Sequence, residues 1–163
     1  MPKEGKMPKP RPVRHVLAET VDQFLHAPLK QGSRVVEESK RLYEDGFPVR
    51  FIQNYNVTYR LAEVHIHEDD IFLCMDGSVH FILGGQLVNP WTKDGLTFLA
   101  DSINGGEEVV LNKGDWLHIP AGQAHQHLTP RLCHLMVVKV APPEGQVRLD
   151  YLKGIKPKEG SVK

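Results

Sequence analysis

The sequence predicts an all-β domain, a sandwich or barrel of the double-sheet jelly-roll type, preceded by a short helical segment. After Pro48 helical periodicity disappears, and eight short runs rich in β-branched and aromatic residues alternate with Gly, Asn and Pro. No helix of useful length lies between these runs, which disfavours a parallel α/β sheet. The 163 residues, 40% of them apolar, are enough for one domain with one hydrophobic core.

Charge is distributed unevenly along the chain, although 20 basic and 20 acidic residues cancel overall. Residues 1–14 carry a net charge of +4 and residues 153–163 one of +3, so that residues 15–152 carry −7. An acidic body disfavours a nucleic-acid binder, since such proteins concentrate positive charge on a folded surface. No apolar run approaches the roughly 20 residues of a membrane span, and the N-terminus lacks the apolar stretch of a secretory signal. We therefore expect no membrane and no nucleic-acid partner.

The two cysteines indicate a compartment. Cys74 and Cys133 both lie inside apolar runs, as buried free thiols do. Disulfide frameworks are typical of secreted proteins, whereas buried thiols suit a reducing environment. We therefore expect a cytoplasmic protein.

The part of the chain before the β-rich region carries two kinds of signal. Residues 1–14 contain four prolines and no apolar periodicity, which predicts a flexible basic arm. Residues 15–47 predict a helical segment. Thr20 with Gln23 resembles a capping box for a first helix, and Ser33 can cap a second.

The β-rich region contains one long gap between its runs. The eight predicted strands cover residues 50–54, 57–67, 70–75, 78–83, 107–111, 114–119, 125–129 and 132–140. Residues 86–106 are long for a hairpin loop, and we expect them to hold an extra strand or two and to overhang one end of the barrel. Their apolar side chains, Trp91, Leu96, Phe98 and Leu99, are expected to pack over that end or against a partner subunit.

Histidines near two predicted strands indicate a metal site. His65 and His67 lie two residues apart in a predicted strand, where alternate side chains share a face, so both imidazoles should point the same way. An acidic run, residues 68–70, follows directly. A third imidazole, that of His125, begins a predicted strand after a Pro-x-Gly turn. Imidazole nitrogens together with a carboxylate are a ligand set for a divalent transition metal.

These segments resemble the two sequence motifs of the cupin superfamily. The first motif, G(x)5HxH(x)3-4E(x)6G, is matched by His65, His67, Asp70 and Gly77. The second, G(x)5PxG(x)2H(x)3N, is matched with every spacing intact by Gly114, Pro120, Gly122 and His125. The chain departs from the pattern in four ways: Tyr59 stands at the leading Gly, only two residues separate His67 from the carboxylate, that carboxylate is an Asp, and Thr129 stands at the final Asn.

The resemblance implies a fold, a metal and a set of ligands. It implies a cupin double-stranded β-helix over residues 48–141, followed by a C-terminal extension with a basic tail at 142–163. The implied metal ligands are His65, His67, Asp70 and His125. They would hold one divalent transition metal (Fe, Mn, Ni, Co or Zn), with Fe(II) or Mn(II) preferred because the set mixes imidazoles with a carboxylate. Cupins also often dimerise through a sheet edge, so we expect a homodimer.

Two further residues are candidate catalytic groups. Glu63 shares strand parity with His65, and His127 shares it with His125, so both can face the predicted cavity. Arg60 either anchors an anionic substrate or pairs with carboxylates, and the sequence leaves both open.

The function expected first is that of a metal-dependent enzyme acting on a small oxygenated or carbonyl substrate by dioxygenase-type chemistry. A non-catalytic cupin that binds or senses a small molecule is the alternative, and a cupin isomerase, lyase or decarboxylase is a further one.

Overall fold

A computed structural model describes residues 10–158. Nine of its eleven strands form two antiparallel sheets packed face to face, and the other two pair with each other. Residues 1–9 of the predicted basic arm and residues 159–163 of the basic tail lie outside the described part. The helices are α1 (Ala18–Leu25) and α2 (Lys40–Glu44), with 3₁₀ turns at Glu37–Ser39 and Asp150–Leu152. The strands are β1 (Gly32–Val35), β2 (Val49–Val57), β3 (Ala62–His65), β4 (Asp69–Leu83), β5 (Gln86–Val88), β6 (Trp91–Thr92), β7 (Thr97–Ala100), β8 (Ser102–Asn104), β9 (Glu107–Asn112), β10 (Trp116–Ile119) and β11 (His125–Val140).

Two long strands, β4 and β11, run through both sheets and join them. The first sheet has the order β1-β2-β11-β4-β10, using the second half of β11 and the first half of β4. The second has the order β9-β4-β11-β3-β7-β6, using the other halves of the same two strands. Long antiparallel strands that bend from one sheet into the other produce a jelly-roll barrel. The prediction of an all-β fold of this type is confirmed.

Both long strands bend at defined positions. In β11 the register shifts between Thr129 and Leu132, as expected for a β-bulge that redirects a strand at a sheet corner. In β4 the bend lies at Gly77, whose φ is +74°. A Cβ atom there would lie 2.0 Å from the Leu132 carbonyl oxygen, so only glycine permits the two strands to approach this closely.

Three apolar clusters fill and cover the barrel. The interior cluster lies between the two sheets and includes Phe72, Phe81 and Leu135. A second cluster, around Phe24 of α1 and Phe51 of β2, covers the outer face of the first sheet. A third covers the outer face of the second sheet and consists of Val64, Ile66, Phe98, Ala124 and Leu152, with Leu149 and Ile155 packed against it.

The segment before the barrel differs from its prediction. The helix expected after Ser33 begins later than predicted, as the 3₁₀ turn and α2 over residues 37–44, because residues 32–35 form β1, which pairs with β2 in an antiparallel register. The open edge of a long strand offers backbone hydrogen bonds that override a local capping signal. The capping box at Thr20 is wrong, since α1 begins at Ala18 and its N-cap, Leu17, makes no side-chain cap bond.

Two expectations for the β-rich region also need correction. The predicted strand 57–67 is interrupted, because β2 ends at Val57 and β3 covers only Ala62–His65. The insert at 86–106 contains four strands, β5 to β8, and β7 pairs with β3 along its whole length. β6 and β7 of the insert thus belong to the second sheet, whereas β5 and β8 pair with each other as a separate two-stranded sheet. In residues 10–158 no helix is long and apolar enough to cross a membrane.

Candidate metal centre

Strand pairing brings the predicted site residues together in the barrel. His125, the first residue of β11, pairs directly with Glu63 of β3. His65 lies two residues further along β3 and shares the face of Glu63. Asp70, near the start of β4, pairs with Lys139 of β11. Three neighbouring strands therefore direct polar side chains into one volume.

A turn after β10 fixes the ends of the strands that carry the histidines. The Gly122 amide donates to the His65 carbonyl at 2.7 Å, which ties the end of β3 to the residue three before His125. Gly122 has a φ of +89°, and a Cβ there would lie 2.6 Å from the Leu149 side chain. Asp69 holds the same turn, because its carboxylate accepts from the Ala121 amide and from His118 Nε2, each at 2.8 Å. Asp69 therefore faces the turn, while Asp70 faces the cavity.

The nitrogen and oxygen atoms at the centre of the site lie close to one another. His65 Nε2 is 3.5 Å from Glu63 Oε2 and 3.7 Å from Asp70 Oδ2. His125 Nε2 is 3.9 Å and 3.6 Å from the same two oxygens. Donor atoms bound to a common ion at about 2.0–2.2 Å stand about 3 to 4.4 Å apart. The four separations lie within that range. Glu63, His65 and His125 have donor atoms close enough to one another to share an ion, and so do His65, Glu68 and Asp70.

Hydrogen bonding sets the tautomer of His125. Its Nδ1 lies 3.1 Å from the Gln123 carbonyl, which only accepts, so Nδ1 carries the hydrogen. Burial lowers the pKa of His125, against the opposing charges of Asp70 and Glu63, and so favours the neutral ring. In the neutral ring Nε2 then presents a lone pair to two carboxylate oxygens. A lone pair and an anion repel each other unless a cation lies between them, which is the condition that a bound metal satisfies.

His65 shows the same need for a partner. Its Nδ1 lies 3.4 Å from the hydroxyl of Thr97, the residue paired with it on β7. Its Nε2 is buried and has no hydrogen-bond partner among residues 10–158. Buried polar nitrogens are nearly always satisfied in folded proteins. The nitrogen, directed at two carboxylates, is thus available as a ligand.

His67 does not reach this cluster in the structure. β3 ends at His65 and the chain bends at 66–67, so the alternation that would align the two imidazoles is lost. The rings of His65 and His67 are 6.2 Å apart and almost perpendicular. His67 Nε2 lies 3.5 Å from Glu68 Oε2 at the cavity wall. A place for His67 among the metal ligands stays a prediction.

Glu63 is better placed as a ligand than as a proton donor. Its second oxygen binds Arg60 at 3.0 Å. Burial raises the pKa of Glu63, but the nearby His65 ring and the charge of Arg60 outweigh burial and hold the pKa below its ordinary value. The carboxylate is therefore ionised near neutral pH. The two-residue spacing from His65 predicted which face of the strand Glu63 lies on, but not that Glu63 is placed as a metal ligand.

Sequence reasoning missed two residues of the site, Glu68 and Lys139. Lys139 lies 2.5 Å from Asp70 Oδ1 and 3.1 Å from Glu68 Oε1, and its side chain is largely buried. Burial raises the pKa of Glu68, but Lys139 outweighs this effect and lowers it. A lysine inside the apolar run 132–140 was the available signal. A charged side chain in a strand of the barrel interior requires a carboxylate partner.

His127 forms the boundary between the polar site and the apolar interior. Its ring lies 5.3 Å from that of Phe81 and 6.2 Å from that of Phe72. Burial, together with the charge of Arg60, lowers the pKa of His127 to about 3, so the ring is neutral near pH 7. Its Nε2 is buried without a hydrogen-bond partner among residues 10–158. His127 also lines a cavity of about 410 Å³ that contains the whole cluster, so its nitrogen can bond to a molecule held there.

The two cysteines are placed as their sequence context predicts. Cys74 and Cys133 are fully buried free thiols with their sulfur atoms 3.7 Å apart. Burial raises the pKa of both thiols. They belong to the apolar interior rather than to the candidate site.

Comparison with known proteins gives distant structural likenesses only. No protein-family model matches the chain, and no curated protein matches it. Among solved structures, the CENP-C cupin domain of Drosophila melanogaster matches with 12% identity and a TM-score of 0.43, over 57% of this chain and 56% of that one. Hydroquinone 1,2-dioxygenase from Sphingomonas sp. TTNP3, with 4-hydroxybenzoate bound, matches with 15% identity and a TM-score of 0.42, over 58% and 59%.

A third structure, a hydroquinone 1,2-dioxygenase in complex with Cd²⁺ and 4-hydroxybenzonitrile, matches with 21% identity and a TM-score of 0.42. The match covers 61% of this chain and 65% of the dioxygenase chain. The chain thus spans between 56% and 65% of the length of these structures. Likenesses with TM-scores of 0.42–0.43 carry no argument about family or activity. The jelly-roll fold rests on the strand pairing of the chain itself.

Proposed function

We propose that the chain is a metal-dependent enzyme that acts on a small oxygenated or carbonyl substrate, with dioxygenase-type chemistry first. One observation carries the proposal: two buried imidazole nitrogens and two carboxylate oxygens converge at 3.5–3.9 Å beside a cavity. A buried site with this donor set suits Fe(II) or Mn(II), because imidazole favours the former and carboxylate the latter. Ni, Co and Zn are the other candidates.

The residues nearest the proposed ion define its ligands. The donor atoms of Glu63, His65 and His125 lie close enough to share one ion, as do those of His65, Glu68 and Asp70, and His67 borders them. A divalent ion with open coordination positions supplies Lewis acidity and, for Fe(II), a route for electrons to O₂. Asp69 and the turn after β10 position His65 and His125, so that the ligand geometry does not depend on a mobile loop.

The other cavity residues act on the substrate directly. The aromatic wall of Phe72 and Phe81 excludes water from one side of the site, which strengthens electrostatic interactions in it. His127 Nε2 bonds to a substrate hydroxyl or carbonyl, because the neutral ring either donates or accepts there. Glu63 is ionised, pairs with Arg60 and would hold the ion, which leaves it less free to accept a proton. His127 is therefore the stronger candidate for a catalytic residue.

Oxygen consumption tests the enzymatic part of the proposal. The purified protein is reconstituted with Fe(II) without air, and O₂ uptake is recorded with a panel of diketones, catechols and flavonols. A His125→Ala variant and a His26→Ala variant, which removes an exposed imidazole on α1, are measured in parallel. We expect uptake with at least one substrate in the wild type and in His26→Ala, and none in His125→Ala.

The alternatives give different outcomes in that experiment. Metal binding without turnover of any compound favours the non-catalytic binding or sensing cupin. Metal-dependent conversion of a substrate without O₂ uptake favours the isomerase, lyase or decarboxylase. We further propose that the chain forms a homodimer, acts in the cytoplasm and binds a small molecule rather than nucleic acid. Sedimentation at micromolar concentration tests the first of these.

A further inference from the structure

The cavity beside the proposed metal is rich in charge of both signs. Its lining includes five cationic side chains, those of Arg34, Arg50, Arg60, Lys93 and Lys139. It includes four carboxylates, those of Glu63, Glu68, Asp70 and Asp94. Cations exceed carboxylates by one, and a divalent ion raises the excess to three. A cavity with this balance attracts an anionic ligand.

Most of these cations already have a partner. Arg60 pairs with Glu63, and Lys139 pairs with Glu68 and Asp70. The guanidinium of Arg34 donates to the Gln53 side chain and to the Pro28 carbonyl. These cations stabilise the fold or orient the carboxylates of the site.

Arg50 is the exception among the cavity arginines. Among residues 10–158 its guanidinium makes no hydrogen bond and no ion pair. It is half-buried and lies over the ring of Tyr43, with 3.9 Å from its central carbon to the ring centroid. Stacking on an aromatic ring holds a guanidinium in place and leaves its N–H donors free in the ring plane. Arg50 is thus an oriented cation whose donors have no partner.

The position of Arg50 relates it to the metal site. Arg50 in β2 pairs with Val137 in β11, and Val137 shares the inner face with Lys139 two residues on. Lys139 in turn contacts Asp70. Diagonal neighbours on adjacent strands lie about 7–8 Å apart. The wall of the cavity that contains both Arg50 and the metal site includes the apolar side chains of Ile52, Phe72 and Val137.

We infer that Arg50 binds an oxyanion group of the substrate, so that the substrate is a small anion with metal-binding oxygens at one end and a carboxylate or phosphate at the other. The apolar side chains of the cavity wall contact the carbon chain that joins the two polar ends of the substrate. The planar fork of a guanidinium bonds to two oxygens of either anion at once. The substrate class rests on the proposed function, whereas anion binding at Arg50 does not.

The test uses matched probes with and without a distal charge. The charged probes are 2-hydroxy dicarboxylates of four to seven carbons, and the uncharged-tail probes are 2-hydroxy monocarboxylates of the same lengths. 2-Hydroxy phosphonocarboxylates of the same reach distinguish a phosphate site from a carboxylate site. Binding is measured by calorimetry to the full-length protein, once loaded with Mn(II) and once free of metal.

Four variants and one control test whether the preference for a distal anion depends on Arg50. Arg50→Ala removes the donors, and Arg50→Lys keeps the charge but not the fork. Tyr43→Leu removes the stacking ring, while Tyr43→Phe keeps it. Arg41→Ala, on α2, is the matched control, because it removes an exposed arginine that does not line the cavity.

We expect one chain length to bind the Mn(II)-loaded wild type at least about tenfold more tightly than its monocarboxylate counterpart, as a charge-assisted hydrogen bond supplies. Arg50→Ala should remove this preference, and Arg50→Lys and Tyr43→Leu should reduce it. Tyr43→Phe and Arg41→Ala should keep the full preference. The affinity for Mn(II) should be the same in all variants. If no probe with a distal anion is preferred at any length, or if the preference survives Arg50→Ala, the inference is wrong.

The metal-free arm separates this inference from the proposed function. If the wild type does not bind Mn(II), the proposed function fails, yet the ratio of anion affinities between wild type and Arg50→Ala still decides the role of Arg50. A ratio near one in both states rejects the inference whatever the metal result.

Discussion

Asp69 is expected to stabilise the fold, whereas its neighbour Asp70 serves the metal site. Asp69 is buried, and its carboxylate accepts hydrogen bonds from the Ala121 amide and from His118, both at 2.8 Å. The amide bond is shielded from water and contributes about 1.5–3 kcal/mol as a bond to a charged group. The His118 side chain is 54% exposed, so its bond adds about 0.5–1 kcal/mol at most. Asp69→Ala should therefore lower the free energy of unfolding by about 2–4 kcal/mol.

Urea unfolding in the presence of a chelator measures this change without a contribution from metal. Asp69→Asn keeps an acceptor for the Ala121 amide but not the charge, so it should lose about half as much. Asp150→Ala is the matched control, since that carboxylate is 91% exposed, and it should change stability by less than about 0.5 kcal/mol. A loss below about 0.5 kcal/mol for Asp69→Ala would refute the reasoning.

The effect of Asp69 should also depend on pH in a defined direction. Burial raises the pKa of Asp69, but the Ala121 amide and His118 outweigh it and lower the pKa below the ordinary value of 3.8. A carboxyl group with a lowered pKa in the folded state stabilises that state above the ordinary value, and the stabilisation is lost as pH falls through the lowered pKa. The difference between wild type and Asp69→Ala should thus be complete at pH 7 and shrink below about pH 4.

Three other changes test separate parts of the structure. Glu63→Gln should weaken Mn(II) binding more than His67→Ala, because Glu63 lies near both central imidazoles, whereas the His67 ring is 6.2 Å from that of His65. Competitive titration against a fluorescent chelator compares the two variants, and equal effects would restore His67 as a central ligand. His134→Leu should reduce the loss of stability below pH 6.5. Burial lowers the pKa of His134, so the unfolded chain protonates this imidazole more readily than the folded one. Parallel profiles of stability against pH for the two proteins would contradict this. Deleting residues 92–103 should prevent folding rather than merely open the cavity, because the deletion removes β7, the partner of β3. Circular dichroism of the deletion variant shows whether it folds.

The sequence predicted the fold and the face of each central residue for a clear physical reason. Side-chain alternation along a strand is local, so the inward direction of His65, His125 and Asp70 follows from strand parity and from the spacing to Gly77. The Pro-x-Gly turn before His125 is equally local, since the positive φ of Gly122 is a property of that residue type.

What the sequence did not reveal depends on contacts between distant strands. Lys139 reaches Asp70 only because β11 pairs with β4 in one register, and a single apolar run gives no sign of that pairing. The end of β3 at His65, which turns His67 aside, depends on backbone bonds from the turn after β10 and from the insert. Ser33 was misassigned for the same reason, because its strand forms only against β2.

Metal content after reconstitution tests the proposed metal centre most directly. Wild type, the His65→Ala/His125→Ala double variant and a His26→Ala/His80→Ala double variant are loaded with Mn(II), passed over a desalting column and measured by mass spectrometry of the metal. The control pair removes two imidazoles whose side chains are 75% and 41% exposed and lie outside the cavity. We predict about one ion per chain in the wild type and the control, and none in the His65→Ala/His125→Ala protein. A wild type without metal, or a full ion retained by that variant, would contradict the assignment of the site.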